Sequence, residues 1–389
     1  MIAHRVLFDG SNSNSLLPLT YLRAVCDCRI GLLTIREKWE AWWPGQYEVH
    51  TAQYLQGLYS ELNQGSSRIF INGAILPSPA LIDDIQQLKI GELLLYQDEV
   101  VAVYLAEGDS IETLKYSTVS QDRIKRTQSP IKKITYPEDI LSLAPDEFLN
   151  DFEILTRGKT SAPIPDHVKS RGEHIYIDPT AQVYDCILNA SEGPIYIGPD
   201  SEVMEYAVIK GPVGLHSNCN IHVGAKVYAN TYLGPYCKIG GEIKRTSIFG
   251  YSNKGHEGFL GDSILTEWCN LGADTNNSNL KNTYGDVSLW DIDQEQYRNT
   301  GRQFLGAILG DHTRCAINTA FMTGSVSGVF ANVFGSINPP RYMPSFSWGT
   351  DHVYKIDKAI EIASKVMARR GIATSDSYIA AMKHLASLS

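Results

Sequence analysis

The chain has 389 residues and a formal net charge of -9, with 43% apolar and 20% charged residues. This length points to two or three domains, and the apolar content excludes a disordered chain. The acidic excess argues against a nucleic-acid binder with a broad basic face, and no stretch is apolar for long enough to span a bilayer.

The N-terminus, Met1-Ile2-Ala3-His4-Arg5-Val6-Leu7-Phe8-Asp9-Gly10, has too short an apolar run for a signal peptide. The cysteines at 26, 28, 186, 219, 237, 269 and 315 are odd in number and mostly far apart. This fits reduced thiols in a cytoplasmic protein rather than a disulfide framework. Cys26 and Cys28 lack the spacer of a zinc knuckle and read as small core residues.

Residues 1–165 read as a mixed α/β domain. Strands are expected at Arg5–Asp9, Arg29–Thr34 and Ile69–Gly73, with a hairpin made by Gly91–Tyr96 and Val100–Tyr104. Helices are expected at Ile35–Trp42, Tyr54–Leu62, Pro79–Leu88 and Glu138–Glu153. A stretch rich in Thr, Ser and Pro over residues 156–170 makes a linker.

From residue 172 to 340 the texture changes. Ile197-Gly198-Pro199, Val213-Gly214-Leu215, Val223-Gly224-Ala225, Leu233-Gly234-Pro235, Leu260-Gly261-Asp262, Leu271-Gly272-Ala273 and Leu309-Gly310-Asp311 share an aliphatic-Gly start, often with a small residue three places after the Gly. Such hexapeptide repeats mark a parallel β-helix. Each side of a triangular coil takes about six residues, with the aliphatic side chain inward and the small residue packed at a corner. A helical reading fails on the density of Gly, Pro and Asn. Residues 276–303 interrupt the repeat and read as a polar loop thrown out from the coil. In the extension 341–389, helical periodicity runs over Ile356–Arg370, and a last helix is expected after Ser375.

Lys226 and Lys244 lie about eighteen residues apart, one full coil at about six residues per side. Stacked lysines call for an anion between them, so a phosphate site is one reading; two solvated lysines splayed apart is the other. His256 follows about two sides further on, in Lys254-Gly255-His256-Glu257-Gly258. The glycines expose the ring, and nearby lysine charge would keep it neutral, as a general base must be. Asn270 and Asn279 are placed to orient a sugar or an amide, although asparagine also serves as a plain corner residue. A rival reading has His216 and His222 bind zinc together with a third histidine such as His256 of a neighbouring chain, as in the hexapeptide-repeat carbonic anhydrases.

The run from Lys244 to Asn279 resembles the acetyltransferase half of the bifunctional glucosamine-1-phosphate acetyltransferase/N-acetylglucosamine-1-phosphate uridylyltransferase family. The resemblance rests on Lys244-Arg245, Asn253-Lys254-Gly255-His256, Leu260-Gly261-Asp262 and Asn270-Leu271-Gly272-Ala273-Asp274-Thr275. It implies a left-handed β-helix and His256 as the base that deprotonates an amine. It implies that Lys244 and Lys226 hold a sugar phosphate, that Asn270 and Asn279 contact the sugar, and that Ala273 offers its backbone. Phe259 stands where the family has Tyr, which removes one hydroxyl contact. The N-terminal part is more weakly similar to sugar nucleotidyltransferases, through Leu16-Leu17-Pro18-Leu19-Thr20-Tyr21-Leu22-Arg23. Gly10-Ser11-Asn12-Ser13-Asn14-Ser15 replaces that family's Gly-rich loop, and Asn72-Gly73-Ala74 replaces its metal-binding Gly-Asp.

The resemblance implies an acetyl-CoA-dependent N-acetyltransferase acting on an amino-sugar phosphate or sugar nucleotide, in the chemistry of UDP-N-acetylglucosamine biosynthesis. The expected assembly is a homotrimer, without nucleic-acid or membrane partners and without a metal at the acyl site. One alternative is sugar-1-phosphate nucleotidyl transfer by the first domain, with Mg²⁺ held by carboxylates such as Asp9, Asp83 or Asp98. Another is a non-catalytic sugar-nucleotide-binding module.

Overall fold

The computed structural model describes residues 4–10, 13–62, 65–111 and 119–388. Ser11 and Asn12, in the segment that replaces the Gly-rich loop, lie outside the described residues, as do Met1–Ala3.

The first domain contains β1 (His4–Phe8), β2 (Arg29–Ile30), β3 (Leu33–Thr34), α1 (Ile35–Trp42), β4 (Tyr47–His50), α2 (Gln53–Gln56), β5 (Arg68–Asn72), α3 (Pro79–Gln86), β6 (Leu93–Tyr96), β7 (Glu99–Leu105), β8 (Ile124–Arg126) and α4 (Asp139–Thr156). Its sheet runs β4-β1-β5-β7-β6-β8. Strands β4 and β5 flank β1 in parallel, and β7 is antiparallel to β5 and β6. Helix α1 starts on a capping box. Thr34 Oγ1 accepts from the Glu37 amide at 3.1 Å and Glu37 Oε2 from the Thr34 amide at 2.6 Å. The expected helix Tyr54–Leu62 shrinks to α2, closed by Gly57. The sequence reading missed β4 and β8. The three side chains of β8 are Ile, Lys and Arg, and its strand character comes from pairing with β6 rather than from its own composition.

The second domain is a three-sided parallel β-helix. Its first face stacks strands from Ile175–Ile177 up to Tyr342–Met343, its second from Gln182–Val183 up to Ser347–Trp348, and its third from Lys169–Arg171 up to Phe259–Gly261. Coils therefore continue past residue 340. The interior is the aliphatic column the repeat predicts, with Ile197, Leu215, Leu233, Ile248, Leu265 and Leu309 buried along one side. The small residues take the corner between the first and second faces: Ser201, Cys219, Cys237, Ser252, Cys269 and Thr313 are all buried. All seven cysteines are free and buried. Just before each of these small residues the backbone turns through a left-handed conformation. On successive coils it is occupied by Tyr236, Tyr251, Trp268, His312, Phe330 and Phe346, whose rings stack into a ladder along the edge.

The first domain docks on the outer side of the first face. Tyr196, Gly214 and Tyr232 are consecutive rungs there. A Cβ on Gly214 would lie 2.5 Å from Phe148 Cε2 and 2.8 Å from Leu32 Cγ, so the missing side chain is the gap that Phe148 of α4 and Leu32 fill. Phe148 packs on Tyr232 with ring centroids 4.8 Å apart. Arg29 Nε donates to the Phe249 carbonyl at 3.0 Å.

The insertion after residue 276 differs from the loop expected. Val287–Asp291 and Gln296–Arg302 form an antiparallel hairpin that lies back against the first domain. Arg298 pairs with Glu138 at 2.7 Å, Asn14 Nδ2 donates to Asp293 at 3.1 Å, and Trp290 stacks on Tyr342 at 5.0 Å. The hairpin hides Val287 and Leu289, which explains why so polar a segment is ordered. Two C-terminal helices follow, α5 (Ile356–Ala368) and α6 (Asp376–Ala386). They pack around Phe330 and Phe346 at the end of the ring ladder and against Leu55 of α2. Among the described residues no helix is long and apolar enough to cross a membrane.

Candidate active site

His256 lies at the corner where the second face passes into the third, between strands Asn253–Lys254 and Phe259–Gly261, and its side chain is exposed. Gly258 closes this corner at φ +111°, and a Cβ there would sit 2.1 Å from the Thr275 carbonyl oxygen. Only glycine closes it.

Lys254 is the residue sequence reading missed. It stands in register with Ile239, at an inward aliphatic position of the coil, and its side chain is buried. Its Nζ donates to the carbonyls of His256 at 2.6 Å, Glu257 at 2.9 Å and Gly240 at 3.4 Å. Burial pushes the ammonium down to about 8, against the opposing charges of Glu257 and Asp274. Three carbonyls of neighbouring coils converge on one cation, which fixes the backbone that carries His256. A lysine interrupting the aliphatic column was the available signal.

On the third face the register corrects the stacked-lysine expectation. Lys226 stands opposite Glu242, and Lys244 opposite Gly261. The coil that closes from Lys226 is shorter than the six-residue-per-side rule, so a carboxylate rather than a second lysine occupies the next rung. The ring of Phe259 folds over Gly261: a Cβ there would lie 2.4 Å from Phe259 Cζ and 3.2 Å from Asn279 Nδ2. Lys244, Phe259 and Asn279 thus gather around one backbone glycine. Asn279 Nδ2 donates to Asp262 Oδ2 at 2.6 Å, and buried Asp262 also pairs with Arg245. Phe259 is held through its amide, which donates to Asn276 Oδ1 at 2.8 Å.

Ala273 occupies the same corner one coil above His256, and its carbonyl accepts from the Asn318 amide at 2.8 Å. Asn270 faces outward on the second face, where its Oδ1 accepts from Asn253 at 3.4 Å. Within one chain, then, Lys226, Lys244, Phe259 and Asn279 share the third face, His256 and Ala273 the adjoining corner, and Asn270 lies around that corner.

His216 and His222 do not form a pair. His216 sits at the corner after the first face, and burial beside Arg29 pushes its imidazole down to about 4. His222 sits at the corner after the second face, its Nδ1 2.7 Å from the Gly255 carbonyl that accepts from it. In the first domain, Asp9 directly follows β1 and is half-buried, with Val25 N at 2.8 Å and Thr51 Oγ1 at 2.5 Å as donors. Burial pushes its carboxyl up to about 6. Asp83 is exposed on α3 and Asp98 in the β6–β7 turn. Asn72 turns its amide oxygen to the Ala74 amide at 3.0 Å and its Nδ2 to the Val100 carbonyl at 3.2 Å. Among the described residues no three His, Cys, Asp or Glu side chains gather as metal ligands.

Residues 5–160 match the family model of sugar nucleotidyl transferases. The chain is 33% identical over 113 residues to a bifunctional sugar-1-phosphate nucleotidylyltransferase/acetyltransferase of Sulfurisphaera tokodaii, over 27% of this chain and 28% of that protein. It is 34% identical over 102 residues to the bifunctional protein GlmU of Methanococcus aeolicus, over 26% of this chain and 24% of that one. A broader match, 24% identical over 212 residues, covers 53% of this chain and 44% of the bifunctional protein GlmU of Synechococcus elongatus. The chain therefore spans less than half the length of these relatives, and the matches bear out the resemblance drawn from its motifs. A crystal structure of the polySia-specific acetyltransferase NeuO shares 13% identity, over 54% of this chain and 96% of that one, with a TM-score of 0.16. So slight a likeness carries no argument.

Proposed function

We propose that the β-helix catalyses transfer of an acetyl group from acetyl-CoA to the amine of an amino-sugar phosphate or sugar nucleotide. The observation that carries this reading is the corner itself: an exposed His256 on a backbone fixed by Lys254, beside a face on which Lys244, Phe259 and Asn279 gather. His256 takes the proton from the amine as its nitrogen attacks the thioester carbonyl carbon. The carbon–sulfur bond then breaks, and the thiolate leaves and is protonated. Lys244 holds the phosphate as a point charge, and Phe259 offers an apolar wall to the sugar ring. Much of the rate would come from positioning on a rigid coil.

The residues above His256 suit the coenzyme. Ile317 is 66% exposed and Phe334 37% exposed, on coils above Ala273 along the same edge. Such apolar side chains in water fit a pantetheine arm laid along the coil. Acetyl-CoA supplies the activated acyl group, and the chain supplies the base and the groove.

Asn270 supports a trimer. It faces away from Lys226 and Lys244 within one chain, so a shared sugar site would need the second face of one copy beside the third face of another. Seven buried, free cysteines fit a cytoplasmic setting. A second reading, sugar-1-phosphate nucleotidyl transfer, is favoured by the family match over residues 5–160. Against it stand Asn72-Gly73-Ala74 in place of a metal carboxylate and the dispersed Asp9, Asp83 and Asp98. The test is thiol release from acetyl-CoA with glucosamine 1-phosphate, set beside pyrophosphate release from UTP with a sugar 1-phosphate and Mg²⁺. Thiol release without pyrophosphate supports the acyl reading; the reverse overturns it, and binding without either favours a non-catalytic module.

A further inference from the structure

A groove of about 470 Å³ opens between the second face of the β-helix and the end of α5. Lys238 and Arg314 line it from the coil, and Arg369 and Arg370 from the helix. Among the described residues no Asp or Glu lines it, although acidic residues outnumber basic ones in the chain, 43 to 34. Four like charges around one cavity repel each other, and they persist most readily where an anion sits among them. The negative end of the α5 dipole, roughly half a charge, accounts for part of the attraction of Arg369 and Arg370 to that place. It does not reach the two cations of the coil. Burial also works against the charge of Arg314 and outweighs the opposing influence of Tyr354 and Cys269.

Two further features describe what the anion would be attached to. Lys238, Asn253, Asn270 and Arg314 are successive rungs of parallel strands. At about 4.8 Å per rung, the backbones of Lys238 and Arg314 lie roughly 14 Å apart, a span with room for more than one phosphate. Between them, Asn253 Oδ1 is buried and has no hydrogen-bond partner among the described residues, which leaves an acceptor beside the groove for a donor from outside. Tyr251 and Trp268, neighbours in the ring ladder, form the remaining wall.

We propose that this groove binds a small organic polyphosphate of the nucleoside diphosphate class, with its phosphates among the four cations and a hydroxyl or amine donating to Asn253. The site is separate from the His256 corner, and the proposal does not depend on acyl transfer. Asn270 borders both places and is left unaltered in the test.

The experiment is calorimetric titration of the full chain with ADP, UDP and inorganic pyrophosphate. The variants are Lys238→Ala and the pair Arg369→Ala/Arg370→Ala, which remove charge from opposite walls. A nucleoside diphosphate should bind saturably at one site per chain, more tightly than pyrophosphate. Each variant should weaken it by about tenfold or more, the scale of a charge-assisted hydrogen bond lost. Absence of saturable binding for all three probes overturns the proposal, and so does binding that both variants leave unchanged. Pyrophosphate binding as tightly as ADP would overturn the assignment of an organic part. A shift in sedimentation on reversing the charges (Arg369→Glu/Arg370→Glu), with no effect on nucleotide binding, would show that the groove holds an acidic segment of a second copy instead.

Discussion

Arg23 of the first domain donates through Nη1 to Asp311 Oδ2 of the β-helix at 3.1 Å, across a sequence separation of 288 residues. Glu267 lies 3.4 Å from the same guanidinium. Asp311 in turn accepts from the Glu267 amide at 2.9 Å. Arg23 is the arginine of the segment resembling the nucleotidyltransferase opening, and here it is committed to holding two domains together. Removing it would strand a buried carboxylate, so Arg23→Ala should lower stability by about 3–5 kcal/mol. Denaturant unfolding is the measurement, and the pair Arg23→Met/Asp311→Leu should recover much of the loss.

Gly214→Val probes the same interface without charge. The added side chain enters space held by Phe148 and Leu32. Overpacking of this kind costs about 1–3 kcal/mol, and here it should fall on docking rather than on the coil. Limited proteolysis should cut the 157–168 linker faster in this variant, while the β-helix itself stays protected.

His256→Ala should cut kcat for acetyl transfer by about 10²–10⁴, the usual worth of a positioned general base. Lys244→Ala should instead raise KM more than it lowers kcat, because a phosphate contact is made in ground and transition states alike. Phe259→Tyr restores the hydroxyl found in the resembled family and should improve use of glucosamine 1-phosphate. Turnover unchanged in His256→Ala would remove His256 as the base.

Lys254 makes a pH-dependent contribution of defined sign. Its native ammonium is pushed down to about 8, whereas an unfolded lysine titrates near about 10.4. Between those values the unfolded chain holds more protons, so this residue makes the folded state more stable as pH rises through that window. Urea unfolding at pH 8 and pH 10 should show that increment in the native chain and not in Lys254→Met. The same variant should lower kcat with little change in KM, because the carbonyls that set the His256 corner lose their shared donor.

Sedimentation should give a trimer at micromolar concentration. A monomer at that concentration would separate Asn270 from Lys244 for good, and with it the sugar site proposed between copies.

The β-helix was legible in the sequence because its physics is local. An inward aliphatic residue, a glycine at a tight corner and a small buried residue recur at a period that the chain itself displays. The corner bearing His256 and the helix Ile356–Ala368 were legible for the same reason. Where strands in neighbouring coils meet was not. Coil length varies, so Lys226 meets Glu242 instead of Lys244, and a spacing rule averages over that variation. The burial of Lys254 was decided by three carbonyls from two coils, which no window of sequence brings together. The polar insertion became a hairpin because Arg298 finds Glu138 and Trp290 finds Tyr342, partners far away in the chain. Short-range sterics and burial patterns made the repeating coils legible, while long-range pairing of strands, charges and rings decided β8, the hairpin and how two domains share one interface.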